Sequence, residues 1–84
     1  MITLKNLKTG KNAIVREITG GIGLKRRLES LNIRVGKKIR KVSTLPFRGP
    51  IIIEVDNCKI AIGRGMAGKI LVEVIDENTP HGKP

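Results

Sequence analysis

Apolar and polar residues alternate most regularly in the last third of the chain, and this alternation predicts three β-strands. The inward-facing positions of these strands are predicted to be Ile51, Ile53 and Val55, then Cys58, Ile60 and Ile62, then Ile70, Val72 and Val74. Asp56 and Asn57 suit the two-residue turn of a β-hairpin between the first two of them. Pro50 is expected to start the first strand, because proline supplies no hydrogen for a sheet ladder.

The first half of the chain predicts further extended segments with a less regular pattern. Ile2–Leu4 is a short apolar segment, and residues 13–18 read as a strand. Its two faces are predicted to carry Ala13 and Val15 on one side and Ile14 and Ile18 on the other. Residues 37–42 have only Ile39 and Val42 as apolar positions, which predicts a solvated strand and is compatible with a sheet edge. Residues 43–49, which contain Pro46 and the single aromatic residue Phe47, are predicted to be a loop.

One segment follows the period of a helix instead. Leu24, Leu28 and Leu31 are spaced four and three residues apart, which places them on one apolar stripe of a short helix. About two turns of helix are not stable alone in water, so these leucines are expected to pack on the sheet. Asn32 tolerates the left-handed conformation that commonly ends a helix.

These elements predict a mainly β protein, a small SH3-like barrel of about five to six strands with one short helix inserted after the second strand. A partly open OB-type barrel is the nearest alternative. We expect one domain over residues 1–75 and a flexible polar tail over residues 76–84. Such a small barrel has no interior room for a substrate, so its function is expected on the outer surface.

Composition narrows the setting of the protein. Of the 84 residues 39% are hydrophobic and 29% charged, which is typical of a globular protein. The single cysteine, Cys58, cannot form an internal disulfide and is interpreted as a small core residue. With no secretory signal and no apolar run of about 20 residues, the expected location is the cytoplasm.

Charge is the strongest functional signal, because the net charge is +10 and the basic excess lies in residues 1–50. An anionic partner is therefore expected. The alternative is a solvated basic face that only keeps the protein in solution. The predicted interaction residues are the helix positions with the basic residues that follow: Leu24, Lys25, Arg26, Arg27, Leu28, Leu31, Arg34, Lys37, Lys38, Arg40 and Lys41. Stacking on single-stranded nucleic acid is disfavoured by the lack of Trp and Tyr, which leaves duplex or structured RNA open.

Two motifs of chemical interest are weak in this context. The run from Gly63 to Gly68 fits G-x-G-x-x-G, but β-patterned residues follow it where a dinucleotide site needs a helix, so a tight turn is predicted. The residues Cys58, His81, Met1 and Met66 are not paired at metal-ligand spacings, so no cofactor and no closed metal site are expected. Iron binding by exposed carboxylates such as Asp76 and Glu77 stays open but is not supported by spacing. No combination of nucleophile and base indicates an enzyme.

The order and spacing of several short motifs over residues 2–75 resemble the FeoA family. The motifs are Leu4 and Leu7 before Gly10, Val15-Arg16-Glu17-Ile18 before Gly20-Gly21, Arg27-Leu28 with Leu31 and Ile33, Val35-Gly36, Gly49-Pro50, and Ile60-Ala61-Ile62 with Ala67 and Ile70-Leu71-Val72. The resemblance implies a cytoplasmic SH3-like protein of bacterial ferrous iron uptake. It also implies an accessory role at FeoB, the membrane ferrous iron transporter whose cytoplasmic part is a GTP-binding domain.

The resulting hypothesis is that the barrel acts through protein-protein contact, docking the Leu24 to Leu31 helix and nearby basic residues onto that cytoplasmic domain. Attachment to the inner membrane would then come through the partner, since the chain has no transmembrane segment of its own. The alternatives are a small basic nucleic-acid-binding protein, a free-standing module like the third domain of iron-dependent repressors, and an iron carrier or sensor.

Overall fold

The computed structural model describes residues 1–44 and 49–75. In chain order its elements are β1 (Ile2–Thr3), a 3-10 helix (Leu4–Asn6), β2 (Asn12–Ile18), α1 (Ile22–Ser30), β3 (Lys38–Thr44), β4 (Ile51–Val55), β5 (Cys58–Ile62), α2 (Arg64–Ala67) and β6 (Ile70–Ile75). The loop predicted around Pro46 and Phe47 and the predicted tail from Asp76 lie outside the described residues, except for the loop's flanking positions.

All six strands belong to one antiparallel sheet in the order β1-β6-β2-β3-β4-β5. This confirms the mainly β, SH3-like architecture with a short helix, α1, inserted after the second strand. The interpretation of the basic segment as a sheet edge is wrong, because β3 pairs with β2 on one side and β4 on the other. Among the described strands β1 and β5 form the two ends of the sheet.

The interior is filled by aliphatic side chains from every strand except the edge segment β1. Among the described residues, fifteen apolar ones form one buried cluster: Leu4, Leu7, Ala13, Val15, Ile18, Leu28, Ile33, Ile39, Ile51, Ile53, Val55, Ile62, Ala67, Ile70 and Val72. Fully burying one Leu, Ile or Val side chain stabilises a fold by roughly 1.5–3 kcal/mol relative to leaving it exposed. This cluster is therefore the main source of stability, and it leaves the outer surface for function.

A β-bulge in β2 corrects one predicted face. Val15 pairs with Val72 and Glu17 pairs with Leu71, so Arg16 is an extra residue without a partner on β6. An extra residue reverses the inward and outward alternation beyond it. Ile18 consequently joins Ala13 and Val15 in the core, although strict alternation predicts that it faces the other way.

Strand β3 also contains an irregular position, and the charged residue just before it is buried by the regular alternation of the strand. Lys41 pairs with Ile53 and Ser43 pairs with Ile52, which leaves Val42 as the extra residue. Lys41 lies on the same side as the buried Ile39, two positions earlier, and its side chain is only 5% exposed. A lysine predicted to be on the solvated surface is therefore buried.

Two predicted core residues are exposed because they lie where the sheet lacks a further neighbour. Cys58 is opposite Val55 in the register, but it starts β5, an end strand, and is exposed. Val74 is 45% exposed because β1 pairs with β6 only as far as Val72. The interpretation of both as core residues is wrong.

The turns follow the sequence signals at two places and depart from them at a third. Asp56 and Asn57 have φ of 52° and 67°, as a type I′ hairpin turn requires, and Asn32 ends α1 with φ of 66°. The segment predicted as a tight turn instead contains α2, a single helical turn. The Ala67 N–H donates to the Gly63 carbonyl, and Ala67 is buried in the core.

Helix α1 packs through the predicted stripe. Leu28 is fully buried, whereas Leu24 and Leu31 are partly buried against the core, with Leu31 at the C-terminal cap. The rest of the helix surface faces solvent. No helix within residues 1–44 and 49–75 has the length and apolar character needed to span a bilayer.

Candidate interaction surface

The structure divides the predicted interaction residues into buried and exposed groups. Leu28 and Lys41 are buried, so their side chains do not contribute to an outer surface. Leu24 and Leu31 are partly buried on the core side of α1. Of the predicted interaction residues on α1, Lys25, Arg26 and Arg27 are exposed to solvent.

A groove separates α1 from β2 and the loop after the helix, and we call it the α1 groove. Its lining residues are Arg16, Glu17, Ile18, Lys25, Glu29, Arg34 and Val35, and its volume is about 450 Å³. Two of the predicted interaction residues, Lys25 and Arg34, are brought together here. The groove thus combines three cationic side chains, two acidic ones and an apolar part.

Local structure explains how these side chains reach the groove. Lys25 and Glu29 are four residues apart on α1 and therefore lie on the same face of the helix. Arg16 is the extra residue of the β2 bulge, and its Nε donates to Glu73 Oε1 at 2.7 Å. Ion pairing with Glu73 holds Arg16 beside the groove. Sequence alternation alone gives no signal for this position, because it does not reveal the bulge.

Exposed apolar side chains lie next to the same groove. Val35 is 61% exposed and lines it directly. Ile22 is 67% exposed and lies one helical turn before Lys25. Isolated exposed apolar residues are common, but one in the charged groove and another one helical turn from Lys25 make this part of the surface suited to contact with another protein. The sequence analysis does not predict either residue as part of a contact surface, because Ile22 lies in a glycine-rich break and Val35 in a turn.

Two other predicted basic residues, Lys38 and Arg40, lie in a separate and smaller hollow on β3 and β4. This hollow has a volume of about 280 Å³ and is lined by Asn12, Lys38, Ile39, Arg40, Glu54, Asp56 and Asn57. Arg40 donates to Glu54 Oε1 at 3.0 Å across the two strands. The predicted basic surface is therefore two separate surfaces, of which this one is largely neutralised by acids.

Asp56 connects the hairpin turn to the segment that follows α1. Its carboxylate accepts hydrogen bonds from the Asn32 side-chain amide and pairs with the Lys37 ammonium at 2.7 Å. The Asn32 Oδ1 in turn accepts from Arg34 Nη2 at 2.8 Å. This network fixes the end of the helix against the sheet and positions Arg34 at the α1 groove. Lys37 is therefore a structural partner of Asp56.

The side chain of Lys41 is buried in the interior, unlike the side chains of the exposed lysines. Its Nζ donates to the carbonyl oxygen of Lys5 at 3.0 Å. Burial lowers the pKa of Lys41, and the positive charge of Arg64 lowers it further. Its environment thus opposes the charged state instead of supporting it.

Candidate metal ligands do not converge in the part of the chain that the structure describes. No group of three or more His, Cys, Asp or Glu residues there is arranged to hold a metal ion. Cys58 is free and exposed on β5. Of the other candidate ligands named from the sequence, His81, Asp76 and Glu77 fall outside the described residues.

Comparison with known proteins identifies the family. The family model for the FeoA domain matches residues 2–74. A protein of Methanocaldococcus jannaschii assigned as Fe(2+) transport protein A is 41% identical over 73 residues, which are 87% of each chain. A fusion protein of Fe(2+) transport protein A and Fe(2+) transporter FeoB from Porphyromonas gingivalis is 29% identical over 75 residues, 89% of this chain and 9% of the fusion protein.

A solved structure agrees with this assignment. The solution structure of the FeoA protein from Chlorobium tepidum superposes with a TM-score of 0.81 at 29% identity, covering 99% of this chain and 81% of that one. Sequence, fold and extent of the match all agree, and the chain therefore belongs to the FeoA family of ferrous iron transport proteins.

Proposed function

We propose that this protein is a cytoplasmic accessory protein of ferrous iron uptake that binds the cytoplasmic part of the FeoB transporter through the α1 groove. The observation that carries the proposal is the P. gingivalis fusion protein, in which a segment similar to this chain is joined to FeoB. Covalent fusion keeps two partners at a high effective concentration, which is useful when their separate forms must associate.

The surface chemistry supports a protein partner with an acidic face. The α1 groove presents Lys25 and Arg34 beside the exposed apolar Val35, and Arg26 extends the basic area along the helix. Aromatic and apolar contacts at the centre of an interface, with charges around them, are the usual arrangement of protein-protein contacts. Leu28 acts indirectly, because its burial fixes the helix on the core.

In this proposal the protein is held at the membrane by its binding to FeoB. The net charge of +10 favours approach to the anionic inner leaflet, and this attraction weakens as salt screens the charges. The protein's role is to change either the assembly of the transporter or the rate at which the transporter turns over nucleotide. It does not itself catalyse a reaction.

The direct test is calorimetry of the purified full chain with the cytoplasmic GTP-binding part of FeoB from the same genome. We expect saturable binding, and we expect the double variant K25E/R34E, at two cations that line the α1 groove, to weaken it. The matched control is K8E/K11E, which changes the net charge by the same amount at exposed lysines that do not line the α1 groove. Equal loss in both double variants would show only non-specific charge attraction, and absence of binding by the unmodified chain would contradict the proposal.

Nucleic acid is the competing partner for a chain of this charge. Duplex DNA and structured RNA are therefore titrated at about 50 mM and about 200 mM salt, where phosphate-dominated binding loses much of its affinity. Tight binding at the lower salt with a steep loss at the higher, together with no binding to the FeoB domain, would favour the nucleic-acid alternative.

A further inference from the structure

Within the described residues, a buried lysine lies near an arginine whose Nε is buried. Lys41 is the one charged residue of residues 1–44 and 49–75 whose side chain is buried, at 5% exposure. The Nε of Arg64 is also buried and has no hydrogen-bond partner. Arg64 lies near enough for its charge to affect Lys41.

Burial distinguishes these two cations from the ion-paired ones of the described residues. Arg16, Lys37 and Arg40 pair with Glu73, Asp56 and Glu54 respectively, and all three pairs are at least partly exposed. Within the described ranges neither Lys41 nor Arg64 makes an ion pair. A buried charge without a partner is costly, and the cost rises when a like charge lies beside it. Among the described residues the positive charge of Lys41 is therefore not compensated by an acidic side chain.

The position of the pair in the fold is also suited to a ligand. Arg64 begins α2, the single helical turn that connects β5 to β6 and contacts the 3-10 helix Leu4–Asn6. Lys41 reaches the carbonyl of Lys5 in that 3-10 helix from β3. The 3-10 helix is thus contacted both by Lys41 and by the helical turn that Arg64 begins. Arg64 as a whole is only partly buried.

From this arrangement we propose that Lys41 and Arg64 form a recessed site for one oxyanion group, a carboxylate or a phosphate. An ammonium has three hydrogens, of which Lys41 uses one for the Lys5 carbonyl. A guanidinium has five, and the buried Nε–H of Arg64 is unused. A planar or tetrahedral oxyanion accepts such hydrogen bonds at more than one oxygen and supplies the missing negative charge. The lowered pKa of Lys41 agrees with this, because an anion would offset the cause of that shift.

This site is distinct from the proposed docking surface. Neither Lys41 nor Arg64 lines the α1 groove, so the anion site does not depend on the proposed function. Binding of an anion here would couple β3, α2 and the 3-10 helix, three elements that the ladder of the sheet does not join directly.

The experiment follows the side-chain Nε–H signals of arginines by NMR in the ¹⁵N-labelled full chain, first in chloride alone. Inorganic phosphate and acetate are then added separately at constant ionic strength. We expect the Arg64 signal to shift and saturate with at least one of the two anions, and the Arg26 signal on exposed α1 to shift little. Saturation with phosphate, acetate or both supports the site and identifies the preferred chemistry. A linear shift of Arg64 equal to that of Arg26 with both anions would overturn the proposal.

Variants test the same point through stability. We expect phosphate or acetate to raise the unfolding temperature of the unmodified chain above that in chloride, because a ligand that binds only the folded state stabilises it. In K41M and R64Q we expect apparent anion affinity to fall about tenfold, as for loss of one charge-assisted hydrogen bond. R26Q is the matched control with an exposed arginine. An unchanged anion response in K41M and R64Q would contradict the site, and the NMR titration of the unmodified chain decides the question if either variant does not fold.

Discussion

Single residues in this protein show that position in the register, more than residue type, decides what a side chain does. Lys41 belongs to a basic segment and is nevertheless buried, because the alternation of β3 places it on the same side as Ile39. Cys58 has the size of a core residue and is exposed at the start of an end strand. Asn32 is the opposite case, since its left-handed backbone follows directly from its residue type.

Replacement of Lys41 by methionine should stabilise the protein in a chloride buffer that contains no phosphate or acetate. The substitution keeps a long unbranched side chain and removes a buried charge without an acidic partner, a gain on the order of 1 kcal/mol. Because the pKa of Lys41 is lowered in the folded state, the unfolded chain binds this proton more tightly. The advantage of K41M should therefore be full at neutral pH and shrink as the pH rises towards 10.5, the ordinary value.

Urea unfolding of both proteins between neutral and alkaline pH measures this difference. Lower stability of K41M at neutral pH would mean that the hydrogen bond from Lys41 to the Lys5 carbonyl outweighs the cost of burying the charge. A constant difference across the pH range would show that protonation of Lys41 is not involved.

Replacement of Gly20 by alanine should destabilise the turn between β2 and α1. Gly20 has φ of +113°, and a Cβ there would lie 2.9 Å from Leu24 Cδ2. A side chain forced into this backbone region costs about 1–3 kcal/mol. Gly21 is the matched control, because its φ is −79° and a Cβ there meets nothing within 4 Å. Chemical denaturation of G20A and G21A should give a clear loss only for the first, and equal stabilities would contradict the strain at Gly20.

At the scale of elements, α1 depends on one buried side chain for its position. Leu28 is fully buried, whereas Leu24 is only partly buried. We expect L28A to lower the free energy of unfolding by about 2–5 kcal/mol. The same change at Leu24 should cost less, because that site is open to solvent on one side. Urea denaturation compares the two variants, and a larger loss for L24A would mean that the helix is held mainly by its first turn.

The elements were predictable where a local signal determines the structure. The Asp56–Asn57 turn follows from residues that tolerate positive φ, and the leucine spacing of α1 follows from the period of a helix. The β-bulges were not predictable, because an extra residue is determined by pairing with a distant strand. The β2 bulge moves Ile18 into the core and Arg16 to the groove, so one unseen feature altered both the core and the candidate site.

At the scale of the whole molecule, the basic excess was predictable but its arrangement was not. Counting charges gives +10, whereas only the fold shows that Lys25 and Arg34 share a groove while Lys38 and Arg40 lie in another hollow beside Glu54. The exposed Val35 could be found only from its surroundings, because in sequence it belongs to a turn. Sequence thus predicted an anionic partner, and tertiary structure was needed to locate the groove that we propose as the contact surface.

Salt should weaken the proposed complex to a measurable extent. Raising the ionic strength from about 50 mM to about 500 mM shortens the range of charge attraction from more than 10 Å to a few Å. We expect the association rate of the chain with the FeoB cytoplasmic domain to fall over this range, and dissociation to change less, because steering acts mainly on encounter. Surface plasmon resonance measures both the association rate and the dissociation rate. An association rate independent of salt would show that the positive charge does not guide binding.

The central claim is that this FeoA-family barrel works through its outer surface, at the α1 groove. An NMR footprint of the ¹⁵N-labelled full chain with the unlabelled FeoB cytoplasmic domain tests it most directly. We predict that backbone signals of α1, of the β2 bulge at Arg16 and of Arg34–Val35 change on binding, while those of β4 and β5 do not. Changes confined to β4 and β5, or no changes at concentrations well above those of the labelled chain, would contradict the account.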